Sequence, residues 1–408
     1  MTRRDSLKLL GLLGLGAALP NTVRRALAVE RPVTQYQAIA DATAGFGCDL
    51  FAKLRSKDGN LFFSPLSIET ALAMTSLGAR GETLAEMNKV LQLPAARAHS
   101  GVGAYLNSLQ TAPGAKYELA VANALWLQQG MPFRPEFLTQ SKTYYQADPH
   151  SIDFAQAENA RQTINHWVEE KTKDKIKDLF APGTLSAVNR LVLTNAIYFK
   201  GKWAHPFEKS MTKDEPFHVT GDKTVKAPLM RRWSEYQYFA GKGVQVVDLP
   251  YAGDRISMLV ILPAAADGLP AIEKALTEKQ LASWVAKLAH KPGEVLMPRF
   301  TTTDKFDLGD TLQDMGMKRA FSNDADFSGM SPEQIMITRV VHKAFVDTNE
   351  EGSVAAAATG VALEPKAAVA DPVTPFTFRA DHPFLFLIRH ERSGSILFLG
   401  RVMNPGKS

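Results

Sequence analysis

Two acids, Glu350 and Glu351, stand side by side near the end of the chain, ahead of "GSVAAAATGVAL" and a single lysine, Lys366. Paired carboxylates can do acid–base work, but neighbours on a strand point to opposite faces and cannot easily share a proton. Cys48 is the sole cysteine and has no nucleophile motif around it. The nine histidines are dispersed, with no pair at metal-ligand spacing; His382 and His390 sit either side of a strand-like run. No G-x-S-x-G elbow, H-E-x-x-H or G-x-x-x-x-G-K-[ST] occurs. Gly14-Leu15-Gly16 falls in an N-terminal leader and cannot cradle a phosphate once that leader is gone. The residues therefore give no enzyme constellation and call for neither metal nor cofactor.

What remains is the blandness of residues 349–372, "NEEGSVAAAATGVALEPKAAVADP", where ten residues in a row are no larger than valine. Taken alone it reads as a flexible linker. The elements around it decide whether that reading holds.

The chain has 408 residues, 45% hydrophobic and 22% charged, a globular balance with room for a large core. Residues 1–28 have a basic start, an apolar run from Leu9 to Leu19 and a small-x-small close at Ala26-Leu27-Ala28. They read as a bacterial export signal of twin-arginine type, with an uncleaved membrane anchor as the alternative. The leader holds five basic residues against Asp5, so the chain from Val29 onward is near +1. A pI of about 9.0 therefore implies no nucleic-acid partner, and none of the later basic pairs, Arg231-Arg232 included, forms a patch. An exported, periplasmic or extracellular protein with one cysteine has no internal disulfide and relies on its core. Once the signal is removed, no membrane association is expected.

Apolar residues at Tyr36, Ile39, Ala42, Phe46, Leu50 and Leu54 predict a helix over 34–54. Ser64 can cap a helix opened by Pro65. "ENARQTINHWVEEKTKDKIKDLF" reads as helix throughout, with Ile164, Trp167, Val168 and Ile176 on one face. "ELAVANALWL", "VQVVDLPY" and "ISMLVILP" read as strands. "RLVLTNAIYFKGKW" is apolar on both alternations, as a strand covered on both sides would be, and Asn195 within it must then find hydrogen bonds. The end of the chain is a hairpin turning at Glu391–Ser395. The class is α+β, in one domain over 29–408.

Six stretches then carry a resemblance: "NLFFSPLSI", "NALWLQ", "LVLTNAIYFKGKW", "MGMKRAFSNDADFSGM", "HKAFVDTNEEGSVAAAATG" and "ADHPFLFLIRHERSGSILFLGRVMNP". In that order, over residues 34 to 406, the chain resembles a serpin. The resemblance implies three β-sheets, about nine helices and an exposed reactive-centre loop at about 350–372. It implies a monomer that inhibits serine proteases as a suicide substrate: the loop is cleaved, inserts into the largest sheet and drags a covalent acyl-enzyme with it.

A segment that must serve both as solvated loop and as central strand tolerates neither proline nor charge, and Gly352–Leu363 has neither. On insertion Ser353, Ala355, Ala357 and Thr359 would share the inward face, where only small groups fit. Roughly a dozen new backbone hydrogen bonds at about 1 kcal/mol each favour the inserted state, so the active form must be held kinetically. The linker reading gives way to this one.

Carried over residue by residue, Glu350 and Gly352 match the family's hinge and Trp203 the breach where insertion begins. Ser64, Ser67, Asn195 and His342 match the shutter beneath the point where the sheet parts. Val354 departs from the acid that inhibitory members often carry. Counting about sixteen positions on from Glu350 places the reactive bond at Lys366-Ala367, suited to a trypsin-like protease with a carboxylate in its pocket. A shift to Ala367, Ala368 or Val369 would suit an elastase-like one. The alternative function is a non-inhibitory serpin acting as a binding or chaperone module. With only Arg97 and His99 in the region that binds heparin in some relatives, no polyanion activation is expected.

Overall fold

The structure is a computed structural model that describes residues 34–93, 98–110, 116–145, 147, 149–253, 255–353 and 374–407. The chain divides into two units, Met1–Gln35 and Tyr36–Ser408, and the fold below is that of the second. The leader, Val354, Ala355, Ala357, Thr359 and the Lys366-Ala367 bond lie outside the described residues.

Nine α-helices and fifteen strands occur among the described residues. The strands are β1 (Leu61–Phe63), β2 (Tyr117–Gln128), β3 (His150–Ile152), β4 (Leu191–Lys202) and β5 (Lys213–Thr220), then β6 (Lys223–Gly241), β7 (Val244–Pro250), β8 (Ile256–Pro263), β9 (Ala289–Pro298) and β10 (Phe300–Asp307). The last five are β11 (Ile337–Asn349), β12 (Gly352–Ser353), β13 (Phe376–Arg379), β14 (Phe384–His390) and β15 (Ile396–Val402). They pair into two hydrogen-bonded sheets rather than three. One has six strands in the order β10-β11-β12-β4-β2-β3; the other has nine, β1-β15-β14-β8-β7-β6-β9-β13, with β5 also on β6. The reason for two is the length of β6. Its first half pairs with β5, its middle with β9 and its last residues with β7, so one continuous strand fuses what would be two sheets.

The six-stranded sheet is covered on both faces, as the double alternation of 191–203 requires. Leu191, Leu193, Ile197 and Phe199 of β4 belong to the main core, shared with the other sheet. Val192 and Ala196 face a second cluster with Ile164 and Val168 from the helix Ala157–Lys171. That helix is shorter than its sequence predicts. It stops at Lys171, because Lys173 and Asp174 take positive φ values of 52° and 59°. Thr172 closes it, its hydroxyl donating to Val168 O at 2.8 Å and accepting the Ile176 N–H at 3.2 Å. Ile176 still packs in the second cluster, but from the loop.

Helix Pro65–Ser76 is buried along its whole length, as a helix threaded through a core must be. Ser64 caps it by accepting the Ser67 N–H at 3.2 Å, and Pro65 occupies the first turn, where its missing N–H costs nothing. Cys48 is buried and free, its thiol pushed up to about 12 by burial first and by the neighbouring charge of Asp49 next, so it is inert as a nucleophile.

Candidate functional site

Two features lie on the core-facing side of β4 and β11. The first is a polar row in an otherwise apolar interior. Asn195 on β4 stands opposite His342 on β11, in parallel register, and opposite Asn123 on β2, in antiparallel register. The N-terminus of helix Pro65–Ser76 ends against this row. His342 Nε2 accepts the Ser64 N–H at 3.1 Å, so Nδ1 carries the proton and donates to Asn195 Oδ1. The Asn195 amide donates to Ser67 Oγ and Asn123 Oδ1, the Ser67 hydroxyl donates to Asn123 Oδ1 at 3.2 Å, and the Ser64 hydroxyl donates to Leu397 O at 2.6 Å. Every predicted member of the cluster is brought together, with Asn123 added.

Burial pushes the His342 imidazole down to about 3. A second ring proton would also face the Ser64 N–H, donor against donor. The network thus holds the neutral ring in one tautomer, and its bonds tie three strands to a helix end.

The second feature is a fork between β4 and β11. Over most of their length they pair directly, from Ile337↔Leu191 to Phe345↔Tyr198. Above that, β12 enters between them: Ser353 pairs with Thr348 and Gly201, and Gly352 with Asn349 and Lys202, antiparallel to both neighbours. Gly352 takes φ +146°, a value few side-chain-bearing residues adopt. Ser353 is fully buried; its Oγ lies 2.7 Å from Tyr251 OH and 3.4 Å from Thr348 Oγ1.

The segment entering the fork is anchored at each residue. Glu350, only 1% exposed, accepts at Oε1 from Arg299 Nε at 2.7 Å and from the Thr212 hydroxyl at 2.5 Å. Burial raises its carboxyl, but the Arg299 and Thr212 hydrogen bonds together outweigh that and hold it below its ordinary range. Glu351 points the other way to Lys209, 2.6 Å distant, so the two acids share nothing. The Phe207 N–H donates to Glu350 O at 2.8 Å and the Trp203 N–H to Glu351 O at 2.9 Å, while the Trp203 indole donates to Asn349 O at 2.9 Å. Trp203 is in turn stacked on Tyr251, ring centroids 4.5 Å apart.

The sequence reading missed Arg299, Thr212, Tyr251 and Asn123. Of these only Asn123 carried a signal, since it is a polar residue in an apolar strand, as Asn195 is. The others come from distant segments whose meeting depends on the sheets' packing. No group of three or more His, Cys, Asp or Glu side chains that could hold a metal occurs among the described residues.

The profile of the family described as "Serpin (serine protease inhibitor)" matches residues 41–405. A leukocyte elastase inhibitor of Bos taurus is 42% identical over 381 residues, covering 90% of this chain and 100% of that protein. An uncharacterized serpin-like protein of Thermococcus kodakarensis is also 42% identical, over 91% of this chain and 87% of its own length. The crystal structure of Serpin48, a highly specific serpin of the insect Tenebrio molitor, superposes with a TM-score of 0.81 at 31% identity, covering 90% of this chain and 98% of that one. With the forked sheet and its anchored entering strand, these matches place the chain in the serpin family of protease inhibitors.

Proposed function

We propose that this serpin is an exported inhibitor that traps trypsin-like serine proteases covalently, with Lys366-Ala367 as the attacked bond. The observation that carries the reading is the fork: the strand β12 already sits between β4 and β11, and the residues after it are charge-free and proline-free to Leu363. Cleavage lets that segment continue down the fork, adding ladder hydrogen bonds at about 1 kcal/mol each and parting β4 from β11 as it goes. In this reading Glu350, Gly352 and Ser353 act as hinge, with Ala355, Ala357 and Thr359 following on the inward face. Trp203 marks the breach, and Ser64, Ser67, Asn195 and His342 form the shutter that must open.

A second specificity has support of its own. The relatives named as leukocyte elastase inhibitors in Bos taurus, Sus scrofa and Homo sapiens share 40–42% identity with this chain. Ala367, Ala368 and Val369 are side chains of the size an elastase-like pocket takes.

One experiment separates these readings and the non-inhibitory one. The protein is mixed with trypsin and, separately, with elastase, then run on a denaturing gel, and the released peptide is sequenced. A boiling-resistant complex with trypsin and a peptide beginning at Ala367 is expected. A complex with elastase alone, and a peptide beginning later, would move the bond. Complete cleavage with protease activity left over would make the chain a binding module. Export is tested on the same preparation: protein recovered outside the cytoplasm should begin at Val29.

A further inference from the structure

Behind Trp203 the fold encloses a cavity of about 540 Å³, within the size range of small-molecule sites. Trp203, Phe207, Leu249 and Leu288 give it apolar walls. Its polar lining includes a buried ion pair, Arg389 and Asp248, 2.8 Å apart and 7% and 6% exposed. This pair is only half satisfied. Asp248 Oδ1 and Arg389 Nε are buried with no hydrogen-bond partner, and unmade hydrogen bonds on buried charged groups cost more than on neutral ones. Arg232 also lines the cavity. It is half-buried, forms no ion pair among the described residues, and has only a 3.4 Å contact with Ser234 Oγ.

We propose that this cavity is a binding site for a small amphipathic organic acid bearing a hydroxyl group. The hydroxyl is the one simple group that serves both orphaned atoms, donating to Asp248 Oδ1 and accepting from Arg389 Nε–H. The carboxylate neutralises Arg232, and the apolar body lies against Leu249 and Leu288. The wall is shared with the hinge: Trp203 and Phe207 line the cavity and donate their backbone N–H groups to Glu351 O and Glu350 O. A ligand seated there therefore stiffens the residues that anchor the entering strand. That consequence is read from amide protection and does not depend on the protein being an inhibitor.

The test uses the full chain and para-hydroxyphenylpropionate, with phenylpropionate (no hydroxyl) and tyramine (an amine in place of the acid) as counterparts. Ligand-observed NMR titration is expected to show saturable binding of the hydroxy acid. Arg232→Ala should weaken it roughly tenfold or more, the size of one lost charge-assisted bond. Leu288→Trp, which fills the cavity, should abolish it while circular dichroism stays unchanged. Hydrogen exchange at the Trp203 and Phe207 amides should slow at saturation. Because Glu235 and Glu391 also line the cavity, preferred binding of tyramine would overturn the proposal. So would equal binding of phenylpropionate, binding that persists in Leu288→Trp, or no saturable binding, in which case water serves the orphaned pair.

Discussion

A β-carbon added to Gly352 would lie 2.0 Å from the carbonyl oxygen of Gly201, well inside any permitted contact. The entering strand and β4 approach each other that closely because neither residue has a side chain at the crossing. A β-carbon on Gly201 would in turn meet the Phe199 and Tyr251 rings at 2.7 and 2.9 Å. Gly352→Val should therefore expel the hinge from the fork, at a cost of about 1–3 kcal/mol. The expected outcome is slower trypsin inhibition and a higher ratio of cleaved to complexed protein. Wild-type kinetics would show that the hinge does not need this crossing.

Ser353 is enclosed by Tyr251 and Thr348 with no space for a larger group. Ser353→Arg places a guanidinium in that apolar pocket without a partner, several kcal/mol uphill. The variant should become a substrate, cleaved by trypsin without a stable complex on a denaturing gel. Ser353→Ala should remain an inhibitor, since it removes a hydroxyl without adding bulk.

Arg299 neutralises a carboxylate that is almost wholly inaccessible. Arg299→Ala leaves Glu350 buried with the Thr212 hydroxyl as its main remaining partner, and should lower stability by about 2 kcal/mol, less than a fully buried pair because Arg299 itself is partly exposed. Urea unfolding measures this. Adding Glu350→Gln to Arg299→Ala should recover part of the loss, since the orphaned charge is gone; independent, additive losses would mean the two side chains are not coupled.

Folding stability should fall as pH drops below 6.5. The folded His342 ring, with its proton affinity depressed to about 3, stays neutral while the unfolded ring takes up a proton. Unfolding then binds a proton, so stability declines with decreasing pH by at most about 1.4 kcal/mol per unit from this residue. The carboxylate of Glu350, also held low, adds to the decline at more acidic pH. His342→Gln should be less stable at pH 7 but should show a flatter profile between pH 6.5 and 4.5. An unchanged slope would place the titration elsewhere.

Cleavage within the loop should raise the melting temperature. Roughly ten added ladder hydrogen bonds amount to about 10 kcal/mol, or roughly 10–20 °C for a chain of this size. Calorimetry before and after trypsin treatment reads it directly. Equal melting temperatures would mean that the cut segment stays outside the sheet.

Much of the site was legible in the sequence because its signals are local contradictions. Asn195 is polar in a strand buried on both faces, Ser64-Pro65 is a helix start, and residues 352–363 avoid both charge and proline. Each rule follows from what a short stretch can tolerate, whatever the rest of the chain does. The helix at 157–171 shows where that logic stops. Its apolar spacing continues to Ile176, yet the side chain of Thr172 and two residues at positive φ end it, and nothing in the periodicity marks that point.

By itself the sequence determined the covered sheet, the polar residues inside it and a segment able to join it, since alternation and side-chain size act within a few residues. Only the tertiary structure decided which distant groups meet that segment: Arg299 and Thr212 on Glu350, Tyr251 on Ser353, and the bare backbone of Gly201 against Gly352. It also decided that β6 fuses two sheets into one and that Arg232, on its face a solvated charge, lines a cavity. Those outcomes depend on how two sheets stack, a property of packing between elements far apart in the chain that local composition does not encode.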